Sequence, residues 1–256
     1  MVIPLELTRN DAPVPGFLGL SCGADYERWR PRAETVLGPS ELAYFQGLQY
    51  ARRQSSYLLG RLAVKRALSE LLKEPRLEQL EIVPGVFRQP ILVCPAPARP
   101  EISLAHAQGV AVGVACQPGH PVGVDLELLE AERQAIFPQV FQRDELAMFT
   151  TFGMEESSAG FRLWTIKEAL SKVLRCGLTA PFEILRPKAI QPPAPGFPAQ
   201  SYEVQFEHFS QYKAHSWILG GYALALVIPR NTRLGWVAVD GLGQYLEAAK
   251  RFQSRT

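Results

Sequence analysis

Cysteine is scarce in this chain: the 256 residues hold four, Cys22, Cys94, Cys116 and Cys176, with no close pair among them. That scatter suggests neither a disulfide framework nor a zinc ribbon, and the four read as free thiols in a reducing cytoplasm. Long apolar runs are missing too. The longest, 217–229, falls short of the roughly 18 residues that span a bilayer and is interrupted by Gly220 and Gly221, so no membrane-spanning helix is expected. The first ten residues, Met-Val-Ile-Pro-Leu-Glu-Leu-Thr-Arg-Asn, carry charges and a proline where a secretory leader needs unbroken apolar sequence, and the expectation is a cytoplasmic protein. Charge of one sign is also in short supply. A net charge of +2 argues against a protein whose main business is gripping DNA or an acidic membrane, so neither nucleic acid nor membrane is expected as a partner.

What the chain does have is material for a core. Hydrophobic residues make up 47% and charged residues 20%, an ordinary globular balance far from the profile of disorder. The length allows one large domain or two smaller ones. Charge is arranged in blocks: 49–76 holds seven Lys or Arg against two acids, 122–156 eight acids against two bases, and 161–190 six bases against two acids. A polyanion with a divalent cation would suit that alternation.

The turn-forming cluster Gln117-Pro-Gly-His-Pro121 divides the chain and predicts an amino-terminal α+β subdomain over 1–118 and a carboxy-terminal one over 119–256. Val110–Cys116, apolar and bounded by glycine or proline, reads as a buried strand, and 122–126 as the next. In the first half Leu58, Leu62, Leu68, Leu71 and Leu72 recur near helical spacing and predict a helix over about 50–72. In the second, Ser157 or Ser158 would cap a helix running through Arg175, with Gly177 as its stop. A proline-rich loop at 191–198 precedes strand-like segments at Tyr202–Phe206, 218–228 and 236–239. Each half thus has a major helix followed by β structure, and that order alone suggests a duplicated fold.

Two motifs carry chemistry. Val122-Gly-Val-Asp-Leu-Glu127 places Asp125 and Glu127 two apart, so on a strand both carboxylates project to one side while Val124 and Leu126 face the core. Adjacent hard oxygen ligands suit Mg2+, although an isolated Asp-X-Glu is more often a solvated strand edge. Gly123 beside them would let a ligand approach closely. The second motif is Trp164-Thr-Ile-Lys-Glu-Ala-Leu-Ser-Lys172. An advance of roughly 100° per residue gathers Leu163, Ile166, Leu170, Val173 and Leu174 on one arc, and Lys167, Glu168, Ser171, Lys172 and Arg175 on the other. Alone, Glu168 and Lys172 would be a surface ion pair worth about 0.3 to 0.5 kcal/mol. Trp164 tilts the balance, because a large aromatic on the polar face needs cover from the fold or from a partner.

Together and in this order, the motifs resemble the signatures of the surfactin-type 4′-phosphopantetheinyl transferases, Gly-Ile/Val-Asp-X-Glu and Trp-Ser/Thr-X-Lys-Glu-Ala/Ser-X-X-Lys. The resemblance extends to Ser103-Leu-Ala-His-Ala107, similar to the family's Ser-His-Ser region, to Leu59-Gly-Arg61, similar to its Gly-Arg helix, and to the short Phe-and-Glu segment Phe141 to Glu145; it covers about 52–181. It implies an α+β fold built as a pseudo-twofold pair of similar α+β subdomains, with coenzyme A in the cleft between them. It implies a monomeric enzyme that moves 4′-phosphopantetheine from coenzyme A to a serine of an apo acyl- or peptidyl-carrier protein and releases 3′,5′-ADP. By motif match Asp125, Glu127 and Glu168 would hold Mg2+ on the pyrophosphate. Glu168 is the candidate base and Lys172 would stabilise charge on the bridging and leaving-group oxygens, with Lys167 as a further phosphate contact. His106 matches a coenzyme-phosphate ligand, and Arg61 with Arg53 would meet the 3′-phosphate, for which a guanidinium fork is well shaped.

The sequence departs from the family at Ala105 and Ala107, which replace the serines flanking the histidine, and at Phe87-Arg-Gln-Pro90, which stands for Tyr-Gly-Lys-Pro with Arg88 as a substitute cation. The same three carboxylates and lysines would also serve a Mg2+-dependent nuclease or phosphohydrolase, and a degenerate homologue that only binds carrier proteins is the non-enzymatic alternative.

Overall fold

Two antiparallel sheets share a central core, and a long helix covers the outer side of each, so the layers run helix, sheet, sheet, helix. The computed structural model describes residues 1–93, 99–192, 201–235 and 239–253. The first sheet has the order β1 (Val2–Pro4), β4 (Gly16–Cys22), β8 (Val110–Cys116), β7 (Glu101–Ala107). The second has the order β10 (Pro187–Gln191), β11 (Tyr202–Phe206), β12 (Tyr212–Leu219), β13 (Tyr222–Pro229), β9 (Gly123–Leu128). Smaller pairings join β2 (Leu7–Arg9) to β3 (Ala12–Val14) and to β14 (Thr232–Leu234), and β5 (Glu81–Pro84) to β6 (Pro90–Val93) in a hairpin. Residues from the facing sides of both sheets, among them Leu18, Val112, Val124 and Leu224, fill the shared core.

The helices are α1 (Gly23–Trp29), α2 (Pro39–Gln46), α3 (Ala51–Leu72), α4 (Ala131–Gln134), α5 (Phe137–Val140), α6 (Arg143–Thr150), α7 (Glu156–Leu174) and α8 (Val239–Gln253). Helix α3 lies on β4 and β8 with Leu58, Leu59, Leu62 and Leu68 buried, and α7 lies on β9 and β13 with Leu163, Ile166 and Leu170 buried. Both crossings depend on glycines. A Cβ at Gly113 of β8 would sit 2.4 Å from Val64 Cα of α3, and one at Gly123 of β9 would sit 2.1 Å from the Ala169 carbonyl oxygen of α7. Two helix-on-sheet units, each seated through a bare backbone, make the chain an α+β protein of the duplicated kind. The carboxy-terminal part returns to the first unit: β14 pairs with β2, and Tyr245 of α8 donates a 3.1 Å hydrogen bond to Asp25.

Several expected elements differ. The segment 218–228 is two strands, because Gly220 and Gly221 take φ of +57° and +81° and turn β12 directly into β13. Helix α7 starts after Glu155 and ends at Leu174, where Arg175 itself adopts the left-handed conformation (φ +57°) expected of a later glycine. Of the strand expected at 236–239, Val239 opens α8 and 236–238 lie outside the described residues, as do Cys94 and 193–198 of the proline-rich loop. Among the described residues Cys22, Cys116 and Cys176 are free thiols, and no helix is long and apolar enough to cross a membrane.

Candidate active site

Strand β9 and helix α7 meet at the two motifs. Lys172 donates hydrogen bonds of 2.7 Å to Asp125 Oδ1 and 2.9 Å to the Val124 carbonyl, which pins the carboxy-terminal turn of α7 to β9. Asp125 is buried, and its Oδ2 has no hydrogen-bond partner. Glu127, two residues along on the same side, pairs with Arg133 of α4. The Arg133 guanidinium also lies 5.7 Å from the Trp164 ring, whose neighbour Phe182 is 5.4 Å away, so the fold itself supplies part of the cover that Trp164 needs.

Burial raises the Asp125 carboxyl above its ordinary value, although Lys172 opposes the shift. Glu127 is raised by burial and then by Asp125. Glu168 is pushed up to about 7, by burial first and then by Asp125 and Glu127, against the pull of Lys172. An unfolded Glu titrates near about 4.3, so between there and about 7 the folded chain keeps a proton that the unfolded chain releases. Ionising Glu168 therefore costs stability, and the cost grows as pH rises through that window. Glu168→Gln, neutral and of the same shape, should melt like the wild type below about pH 4 and at a higher temperature above about pH 7. Thermal melts of both proteins across that range check this, and parallel curves would refute it.

A groove runs away from this corner in two connected hollows. One, of about 590 Å³, lies between the β5–β6 hairpin and α7 and includes Arg61, Arg88, Arg99, Ser103, Glu168 and Lys172 in its lining. The other, of about 580 Å³, lies over α3 and includes Arg52, Arg53, Tyr57, Arg61 and His106; Arg61 and Leu104 border both. The structure thus gathers Arg53, Arg61 and His106 in one hollow and Arg61, Glu168 and Lys172 in the next. His106 is exposed near the end of β7, yet the surrounding protein and then Lys172 hold its imidazolium below the usual histidine value. Ala105 and Ala107 point the opposite way into the core, beside Val112 and Val110 of β8, so hydroxyls there would enter the core and not the groove.

Lys167 is not brought to the groove. It is wholly buried, ion-paired to Glu145 at 2.6 Å, bonded to the Phe182 carbonyl at 2.9 Å, and flanked by the rings of Phe141 and Phe182 at 5.2 and 5.5 Å. Ser171 is buried as well, so the polar arc read from helical spacing is split by α6 and the turn at Phe182 into a groove side and a core side. Arg133 and Arg99 carry no sequence signal of their own; only the fold shows that one neutralises Glu127 and the other lines the groove.

Among the described residues no three His, Cys, Asp or Glu side chains already stand together as a metal cluster. The donor chemistry nevertheless fits Mg2+. Asp125 raises the proton affinity of both Glu127 and Glu168, Glu127 raises that of Glu168 further, and Asp125 Oδ2 is a buried acceptor without a donor. Mg2+ needs only one or two carboxylates when water and phosphate oxygens complete its shell.

Acid and lysine at the foot of an arginine-lined groove are the equipment of an enzyme that handles a phosphorylated substrate. Residues 121–227 match the family model of the 4′-phosphopantetheinyl transferase superfamily. The match takes in β9, α7 and most of β13, so the part of the chain that holds Asp125, Glu127, Glu168 and Lys172 is similar to that superfamily. No curated protein matches the chain. Among solved structures, a holo-(acyl-carrier-protein) synthase from Bacillus anthracis, in complex with CoA (3′,5′-ADP), is 19% identical over 45% of this chain and 96% of its own, with a TM-score of 0.36. The holo-ACP-synthase of Plasmodium yoelii is 16% identical over 39% of this chain and 90% of its own, with a TM-score of 0.35. Similarities of this size carry no inference about the site.

Proposed function

We propose that the protein is a surfactin-type 4′-phosphopantetheinyl transferase that loads a serine of an acyl- or peptidyl-carrier protein from coenzyme A, with Mg2+, and releases 3′,5′-ADP. The observation that carries this reading is the superfamily match over 121–227, because it contains Asp125, Glu127, Glu168 and Lys172, the residues that meet at the foot of the groove. The chain would be divided into subdomains 1–118 and 119–256 and would work as a cytoplasmic monomer.

In the reaction the serine oxygen bonds to the β-phosphorus of coenzyme A. The bond from that phosphorus to the bridging oxygen breaks, and the bridging oxygen leaves with 3′,5′-ADP. Glu168, whose raised proton affinity suits a base working near neutral pH, takes the serine proton. Lys172 turns part of its charge from Asp125 toward the bridging oxygen as that oxygen becomes anionic. Mg2+ held by Asp125, Glu127 and Glu168 would supply charge neutralisation on the pyrophosphate. Arg61, Arg53 and His106 hold the phosphates at the other end, which fixes the line of attack.

Mass spectrometry of apo-carrier proteins incubated with enzyme, coenzyme A and Mg2+ tests the reading. A gain of the 4′-phosphopantetheine mass is expected; coenzyme A cleaved equally well without carrier would point to a phosphohydrolase instead. Arg61→Ala should weaken coenzyme A about tenfold while changing dephospho-coenzyme A less than about twofold, because only the former carries the 3′-phosphate. Equal losses for both in a binding titration would remove Arg61 from that phosphate.

A further inference from the structure

We infer that Glu41, which lies outside the groove on α2, is a positioning residue that aims Arg61 at its anion; the inference rests on the transferase reading. Glu41 is 2% exposed, and its carboxylate is saturated by groups from three directions. Oε2 accepts the Gly38 N–H at 2.9 Å, and Oε1 accepts the Ile82 N–H of β5 at 3.1 Å. Lys65, wholly buried on α3, pairs with Oε2 and donates a second bond of 2.7 Å to the Val36 carbonyl. A carboxylate tied to α2, α3 and β5 at once has no freedom to turn.

Arg61 is anchored to this fixed point. Its Nε approaches Glu41 Oε1 at 2.9 Å, a charge contact whose N–H lies off the line to the oxygen, and its guanidinium lies 4.6 Å from the Tyr57 ring. One edge and one face are thus held inside the fold, and among the described residues this is the only ion pair that Arg61 makes. The guanidinium held in this way borders both hollows of the groove. A guanidinium presented in that way is a preset fork for a phosphate, whereas an untethered arginine must give up rotamer freedom to make the same contact.

Calorimetric titration of coenzyme A and dephospho-coenzyme A into the wild type, Glu41→Gln, Arg61→Ala and the double variant tests this. Glu41→Gln should lose about tenfold in affinity for coenzyme A and less than about twofold for dephospho-coenzyme A, with no further loss in the Arg61→Ala background. Turnover at saturating coenzyme A should stay at the wild-type rate, so that the loss falls on KM. Glu41→Asp keeps the charge that Lys65 needs and shortens the reach to Arg61; it should move in the same direction, and it decides the matter if Glu41→Gln does not fold. Equal losses for both ligands, or unchanged discrimination in Glu41→Asp, would overturn the inference. A wild type that binds coenzyme A without discriminating it from dephospho-coenzyme A would overturn it too. A wild type that binds neither ligand would overturn the transferase reading, and this inference with it.

Discussion

Asp125→Ala should lose carrier loading by about a thousandfold or more while remaining folded, since several kcal/mol of charge stabilisation in the transition state is what a metal carboxylate is expected to supply. The folded state tolerates the change for a specific reason. Asp125 is buried with one oxygen unpartnered, and burial raises its proton affinity, so its ionised form is already a cost to the fold. What the variant gives up is one bond to Lys172, which keeps the Val124 carbonyl and part of its contact with water. Lys172 is 27% exposed, so the cation left behind is still partly solvated. Circular dichroism melts and loading assays on the same preparation separate the two effects. Loading at the wild-type rate would remove Asp125 from the reaction, and an unfolded variant would mean that the Lys172 bond holds β9 to α7 more strongly than its geometry suggests.

How far the site was legible depended on whether its residues lie close along the chain or only in space. Asp125 and Glu127 share a strand side, and Glu168 and Lys172 share a helix side, so periods of two and 3.6 place each pair correctly. Strands Val110–Cys116 and Tyr202–Phe206 and helix Ala51–Leu72 were readable for the same reason, since each is bounded by its own apolar pattern. Lys167 shows the limit of that logic. At roughly 100° per residue it stands only about 20° from Leu174 and about 100° from Glu168. It therefore lies at the edge of the apolar arc, where α6 and Phe182 cover the helix and Glu145 pairs with the lysine. The pairing of Glu127 with Arg133 and the anchoring of Arg61 by Glu41 are contacts between separate elements, and no periodicity encodes them.

Gly123→Ala should lower stability by about 3 kcal/mol, or roughly 6 to 12 °C in Tm, and should also depress loading, although no ligand contact is altered. Next to two carboxylates the glycine invites the reading that a substrate comes close, but what comes close is α7. A methyl at Gly123 would lie 2.1 Å from the Ala169 carbonyl oxygen and 2.7 Å from a Val173 methyl. The first of these is backbone, which cannot swing aside as a long side chain can. The helix must lift off β9, and Lys172 and Glu168 move with it while Asp125 stays on the strand, so the lysine bond that closes the site is stretched along with the packing. Gly60 provides the control within α3: a methyl there meets only Leu104 Cδ1 at 3.5 Å, an ordinary contact. Gly60→Ala should therefore hold or gain up to about 1 kcal/mol, as glycine-to-alanine changes do in helix interiors. Melting both variants side by side, with loading measured at a temperature where each is folded, tests whether α7 seated directly on β9 builds the site. A Gly123→Ala protein that melts and loads like the wild type would show that it does not.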